Sequence, residues 1–218
     1  MSYSIISKQN PLILASASPR RKQLLEQAGL PFRSVTSQVA EGTLFGDPEE
    51  EGCILAEKKA CAVYPRVQGS WVLGADTIVV MDGMDSHVPD QQPDGSAIIL
   101  GKPENAGDAG NMLRLLSGKE HRVITGFCIL DPSGQIIHSE AISTRVFIKE
   151  LTDREIQAYI NTKEPFGKAG SYAIQGIGSF MVEGISGSYP NVVGLPLYAL
   201  IKALLSAGAL KSFPMPPD

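Results

Sequence analysis

The sequence predicts an α/β fold: a mixed, strongly twisted central sheet flanked by helices. Three observations predict it. Short apolar runs bounded by turn residues, the mark of buried strands, alternate with stretches whose apolar residues recur at helical spacing. Asp131-Pro132-Ser133-Gly134 is a turn signal between two long strand-like segments, which adds an antiparallel hairpin to that alternation. A chain of 218 residues with 43% hydrophobic content is long enough to bury a full core as one domain, with room for two lobes. Helices and hairpins together call for both parallel and antiparallel strand pairs.

Residues 12–15 form the first strand, ended by Ser16-Ala17-Ser18. Ser18 and Pro19 suit the N-cap and the first helical position. The helix runs to Ala28, buries Leu24, Leu25 and Ala28, and stops at Gly29. Residues 32–37 are a strand, 49–64 a second helix ended near Pro65, and 71–81 a strongly apolar strand. Residues 82–96 are a polar, Gly/Pro-rich loop or hairpin excursion. A helix over 106–117 ends at Gly118, and strands over 122–130 and 135–148 flank the turn. Thr152-Asp153-Arg154-Glu155 is a capping box that opens a helix to about Asn161. Short strands are expected near 172–175 and 179–185, and Pro196 starts a last apolar helix to about Ala207. Residues 1–218 read as a single domain with its core over about 11–207, a short N-terminal extension and a loose tail, SFPMPPD.

Composition narrows the function. A net charge of −4 argues against general attraction to nucleic acid or acidic membranes. An anionic substrate must then meet a local basic cluster, helped by a metal ion. Cys53, Cys61 and Cys128 are odd in number and form no CxxC, which suits free thiols in a reducing cytosol. MSYSIISKQN has no signal-peptide core and no run is long enough to span a membrane, so a cytoplasmic chain is expected. His87, His121 and His138 lack metal-ligand spacing, and no GxSxG elbow or His-paired nucleophile is visible.

PLILASASPRR is the most informative stretch. Arg20 and Arg21 stand in a first helical turn, where the macrodipole is already positive. An anion seated among them and the free N–H groups would explain the pair, as would two solvated arginines tolerating a small penalty. Asp76, inside VLGADTIVV, is a carboxylate in a strand that reads as buried on both faces. It needs a cation, a metal or donors, for a task or as a satisfied structural group at a kink by Gly74. Lys59 shares the helical face of Leu55 and Val63 while Lys58 points elsewhere. Snorkelling to water and phosphate binding are equally open for it. Lys102 in LGKP and Glu41 in a polar segment are weak signals alone. The glycine-rich stretch FGKAGSYAIQGIGSFMVEGISGSYPNVVGLP lets backbone approach a ligand, or simply makes tight turns. It holds no Walker A pattern and no dinucleotide fingerprint. Gln175 in it offers both a donor and an acceptor to a base edge. Carboxylates, lysines, arginines and a glycine-rich platform suit metal-assisted hydrolysis of a phosphoanhydride with water as nucleophile.

LILASASPRRKQLLEQAG, LAEKKA, LGADTIVV, LGKP and GKAGSYAIQG…ISGSYPNVVGLPL, in that order from Leu12 to Leu205, resemble the Maf family of nucleoside triphosphate pyrophosphatases. The resemblance implies a fold related to the inosine triphosphate pyrophosphatases, with a cleft between two lobes. It implies a cytoplasmic, usually dimeric enzyme that splits a nucleotide into monophosphate and pyrophosphate with Mg²⁺ or Mn²⁺. Ser16, Arg20 and Arg21 match the phosphate-binding SxSPRR. Lys59 matches the lysine of LAxxKA, Asp76 the presumed base of GADT, and Lys102 the lysine of the KP motif. Glu41 matches a family carboxylate by its distance from SxSPRR, and with Asp76 would hold the metal. Arg20, Thr77 and Gln175 match positions linked to base choice, and IQG resembles the branch acting on dTTP and UTP. The segment between Val80 and Ile98 is longer than in compact members, either an edge of the cleft or an inert surface hairpin. The reading is a house-cleaning pyrophosphatase for dTTP, UTP and modified pyrimidine nucleotides. Its rivals are a non-catalytic nucleotide-binding regulator of septum formation and a purine-selective enzyme for inosine or xanthosine triphosphate.

Overall fold

The computed structural model describes residues 4–39, 46–82 and 97–215. Its elements are β1 (Leu12–Leu14), α1 (Pro19–Gln27), β2 (Phe32–Ser34), α2 (Pro48–Val63), β3 (Val72–Met81), β4 (Ile98–Leu100), α3 (Ala106–Leu116), β5 (Glu120–Leu130), β6 (Ile136–Ile148), α4 (Asp153–Asn161), β7 (Val182–Ser186), α5 (Tyr189–Val193) and α6 (Leu197–Ser206). Seven strands form one sheet in the order β2-β1-β3-β5-β6-β7, with β4 on β3. It is mixed: β1 runs parallel to β2 and β3, while β3–β4 and β6–β7 are antiparallel. The predicted α/β class holds. No helix among the described residues is long and apolar enough to cross a membrane. The three cysteines are free thiols.

The chain forms two compact units: residues 1–76, 125–142 and 194–218, and residues 77–124 and 143–193. In the first, α2 begins at Asp47, whose side chain accepts from the Glu49 and Glu50 N–H groups at 2.9 and 3.0 Å. This is a capped start with acidic residues in its first turn. Ala56, Ala60 and Val63 of α2 pack with Ile13, Ala15, Val72, Cys128 and Leu130. Small residues make the approach close. A Cβ on Gly74 would lie 2.1 Å from the Ala56 carbonyl oxygen, and one on Gly126 would lie 2.2 Å from that of Gly52. The β5–β6 turn is built by Asp131, whose Oδ1 accepts from the N–H groups of Ser133 and Gln135 and from the Ser133 hydroxyl.

In the second unit, Leu113, Leu116, Ile156, Tyr159 and Ile160 of α3 and α4 close a core with Val79, Leu100, Val146 and Met181. The capping box of α4 is present in both directions. His121 is 1% exposed, and its Nε2 lies 2.7 Å from the Tyr172 hydroxyl.

Three predictions for the chain's course need correction. No strand forms over 172–175, and the later one is confined to Val182–Ser186. Gly170, Ser171 and Gly176 have φ between 61° and 73°, which a strand cannot accommodate, so the chain makes 3₁₀ turns at Ala169–Ser171 and Gly176–Met181. The strand predicted over 32–37 is shorter, ending at Ser34. Two elements escaped notice, β4 and α5, each of five residues or fewer and too short for a periodic signal. The loop or hairpin excursion expected over 82–96 lies, from residue 83 on, outside the described residues; β3 and β4 pair antiparallel.

Two outcomes follow from this packing. Gly74→Ala must displace the backbone of α2 and should cost about 1–3 kcal/mol, the usual scale of overpacking. Gly101→Ala, whose Cβ would meet nothing within 4 Å, should be close to neutral in the same urea titration. Burial lowers the His121 pKa from 6.5 to about 4. The unfolded chain therefore binds the extra proton between those values, and stability falls as pH drops from 6.5 towards 4. His121→Phe should flatten that part of the stability–pH curve, which is worth at most about 3 kcal/mol.

Candidate active site

The strand-to-helix corner after β1 is tied down by its own serines and arginines. Ser34 Oγ donates to the Ser16 carbonyl at 2.6 Å. Ser16 Oγ accepts from the Ser18 N–H at 3.2 Å and from Arg21 Nη1 at 3.1 Å. With those two acceptances made, the hydroxyl has its proton to offer, the polarity an anion needs. Arg21 is buried, and its Nε donates to the Gly194 carbonyl at 2.8 Å. It braces the corner, whereas Arg20 is half-buried. Ser18 stands at the N-cap of α1 as predicted, but its side chain makes no capping bond. Those N–H groups are not taken by the cap residue, which keeps the helix start suited to an anionic ligand.

Beside this corner the register of β1 on β3 pairs Leu14 with Leu73, and the Ala15 N–H donates to the Leu73 carbonyl. Asp76 lies three residues further along β3, past the end of β1. It is 6% exposed, as the apolar run predicted, and Lys59 of α2 is 7% exposed. Lys59 Nζ donates to Asp76 Oδ1, a buried ion pair. No hydrogen bond from a described residue reaches Oδ2. The helical phase is borne out: Leu55, Lys59 and Val63 are buried while Lys58 is exposed. Snorkelling is excluded for Lys59, because its ammonium ends on a carboxylate inside the unit.

A hard cation takes oxygen donors, and Mg²⁺ is commonly held by one or two carboxylates plus substrate phosphates. Asp76 Oδ2 fits that chemistry. No group of three His, Cys, Asp or Glu side chains that could hold a metal occurs among the described residues. Glu41, the other predicted ligand, lies outside the described residues.

The remaining predicted residues belong to the second unit. Thr77 follows Asp76 in β3 and is half-buried; Lys102 is exposed just past β4, before the buried Pro103. Gln175 is half-buried at the start of a 3₁₀ turn, and its side chain makes no hydrogen bond with a described residue. The glycines after it do not wait for a ligand. A Cβ on Gly176 would lie 2.8 Å from Glu164 Oε2, and one on Gly178 would lie 2.5 Å from the Tyr159 hydroxyl. The close approach that the sequence pointed to is made by the protein's own side chains. Glu164 and Tyr159 are the residues that sequence reasoning missed, since an isolated Glu in TKEPFG carries no pattern.

The family model for Maf-like proteins matches residues 11–207, through both units. The chain belongs to the Maf family. Among curated relatives, the dTTP/UTP pyrophosphatase of Geotalea uraniireducens is 45% identical, covering 95% of this chain and all of that protein. The dTTP/UTP pyrophosphatase of Citrifermentans bemidjiense is 48% identical over 93% of this chain and 98% of that one. That of Ruminiclostridium cellulolyticum is 49% identical over 87% and 92%. A solved nucleoside-triphosphatase/dITP/XTP pyrophosphatase from Mycobacterium abscessus overlaps this Maf chain with a TM-score of 0.40 at 14% identity, over 92% of this chain and 97% of that one.

The buried pair gives a direct test. Lys59→Ala leaves a carboxylate buried beside no ammonium, a change that costs about 3–5 kcal/mol when one partner of such a pair is removed. Lys58→Ala, on the exposed face, should stay within about 0.5 kcal/mol of wild type. Equal denaturation midpoints for the two variants would show that the pair contributes nothing.

Proposed function

We propose that this Maf protein hydrolyses nucleoside triphosphates to nucleoside monophosphate and pyrophosphate, with dTTP and UTP as its substrates. The observation that carries the reading is a buried carboxylate, Asp76, held by Lys59 past the end of β1, on the strand next to the Ser16–Arg21 corner. Curated relatives at 45–49% identity bear the name dTTP/UTP pyrophosphatase, which supports the substrate class.

The roles follow from chemistry. Ser16, Arg20 and the start of α1 supply hydrogen-bond donors and positive charge for phosphate oxygens, and Arg21 holds Ser16 in place while adding its own charge. Lys102 is assigned as a further phosphate contact. Asp76 is assigned as the base that takes a proton from the water attacking the α-phosphorus, while the lysines and arginines stabilise charge on the leaving pyrophosphate. Mg²⁺ or Mn²⁺, held by Asp76 and Glu41, would supply charge neutralisation at the phosphates. Arg20, Thr77 and Gln175 are assigned to base choice. A uracil or thymine edge presents a carbonyl and an N–H, which one amide can meet with its donor and its acceptor. The same reading takes the enzyme to be a cytoplasmic homodimer.

Asp76→Asn keeps the size and an oxygen that accepts from Lys59 but removes the charge. Turnover of dTTP should fall at least about a hundredfold, the scale of a lost general base. Circular dichroism should show a folded chain, and near-normal turnover by that chain would exclude Asp76 as the central carboxylate. A panel of nucleoside triphosphates with Mg²⁺ and with Mn²⁺, with products separated, tests the activity itself. Pyrophosphate from dTTP and UTP is expected. Binding without turnover would point to a regulator, and preference for inosine or xanthosine triphosphate to a purine enzyme.

A further inference from the structure

We propose that Glu164, acting with Tyr159, is a positioning residue for base choice: it clamps the loop that presents Gln175. This inference rests on Gln175 as a base-reading residue. The clamp grips the chain on both sides of that residue. Glu164 Oε2 accepts from the Ile177 N–H at 3.0 Å, and Oε1 accepts from the Gly178 N–H at 2.9 Å. The Tyr159 hydroxyl donates to Oε1 at 3.0 Å and accepts from the Ala173 N–H at 3.2 Å. Residues 173 and 177–178 are thereby fixed to one carboxylate–phenol pair, with Gln175 between them.

The clamp stands on rigid ground. Tyr159 is 1% exposed in the core of α4. The Glu164 N–H donates to Thr162 Oγ1 at 3.1 Å, and Lys168 Nζ donates to the Glu164 carbonyl. Burial by itself would raise the Glu164 pKa. The hydrogen bonds from Gly178, Ile177 and Tyr159 outweigh that and hold it below the ordinary value, so the clamp is charged at neutral pH. Charge-assisted bonds to backbone N–H groups are among the stronger ones available to a loop with few ladder bonds of its own. Gly176 and Gly178 are small because the carboxylate and the phenol occupy the space. A group that must meet a base edge needs its backbone held to a fraction of an ångström, and the Gln175 side chain makes no bond with a described residue to hold it there.

The test compares wild type with Glu164→Gln, Tyr159→Phe, Gln175→Ala and the double variant Glu164→Gln/Gln175→Ala. Each is assayed for kcat and KM on dTTP and GTP, with thermal unfolding alongside. Glu164→Gln turns an acceptor into an NH₂ group facing a backbone N–H, and Tyr159→Phe deletes one hydroxyl from a ring of the same shape. Both should lower the dTTP-to-GTP ratio of kcat/KM at least about fivefold, the effect of one lost hydrogen bond. The loss should lie mainly in KM for dTTP, as expected when ground-state binding weakens. In the Gln175→Ala background, Glu164→Gln should change the ratio no further, because the residue it positions is gone. A carboxylate that merely stabilises the fold would lower the melting temperature and leave the ratio alone. An unchanged ratio in Tyr159→Phe and Glu164→Gln, with Gln175→Ala shifting it, overturns the clamp alone. An unchanged ratio in Gln175→Ala overturns the base reading beneath it. If Glu164→Gln does not fold, the isosteric Tyr159→Phe decides between the same outcomes.

Discussion

The close seat of α2 on the sheet is the constraint from which the first unit's chemistry derives. Lys59 reaches Asp76 because the helix lies where ordinary side chains would forbid it: Gly74 and Gly126 each leave room for helix backbone. A methyl group at either glycine would lift the helix by the width of an atom. The ammonium would then separate from a carboxylate that is expensive to bury alone. The alanines of α2, Ala56 and Ala60, serve the same end from the other side, giving area without height. The ion pair is thus also a consequence of packing, which brings a carboxylate and its ammonium partner together inside the unit.

The parallel pairing of β1 and β3 supplies the second half of the arrangement. Both strands run the same way, so the turn into α1 and the continuation of β3 emerge at one end of the sheet. The start of α1 comes to lie at the same edge as Asp76, the usual place for ligands in open α/β sheets. Arg21 is spent largely on holding this corner, through Ser16 and Gly194. Two adjacent arginines that look equivalent in the sequence thus stand differently: Arg21 is buried and braces the corner, and Arg20 is half-buried.

The second unit solves a different problem. Its glycine-rich segment has few strand or helix bonds, and positive φ at Gly170, Ser171 and Gly176 keeps it from forming a strand. The backbone donors of Ala173, Ile177 and Gly178 are satisfied by the side chains of Tyr159 and Glu164 instead. That choice leaves a shaped loop with a polar residue presented on it, at the cost of making the loop depend on a few contacts.

By itself the sequence determined the fold class, most of the elements and the buried face of α2. These rest on local periodicity, capping and turn chemistry, which neighbouring residues carry. The capping box at Thr152, the Asp131 turn and the phase separating Lys58 from Lys59 were all legible for that reason. Asp76 was legible because a carboxylate in an apolar strand breaks a local rule. Only the tertiary structure decided what Asp76 pairs with, that Arg21 is a brace, and that the space at Gly176 and Gly178 is filled by Glu164 and Tyr159. Lys59 and Asp76 are 17 positions apart, Glu164 and Gly178 are 14 apart, and Arg21 and Gly194 are 173 apart. No local pattern encodes such pairings, because packing chooses among many carboxylates and hydroxyls that look alike along the chain.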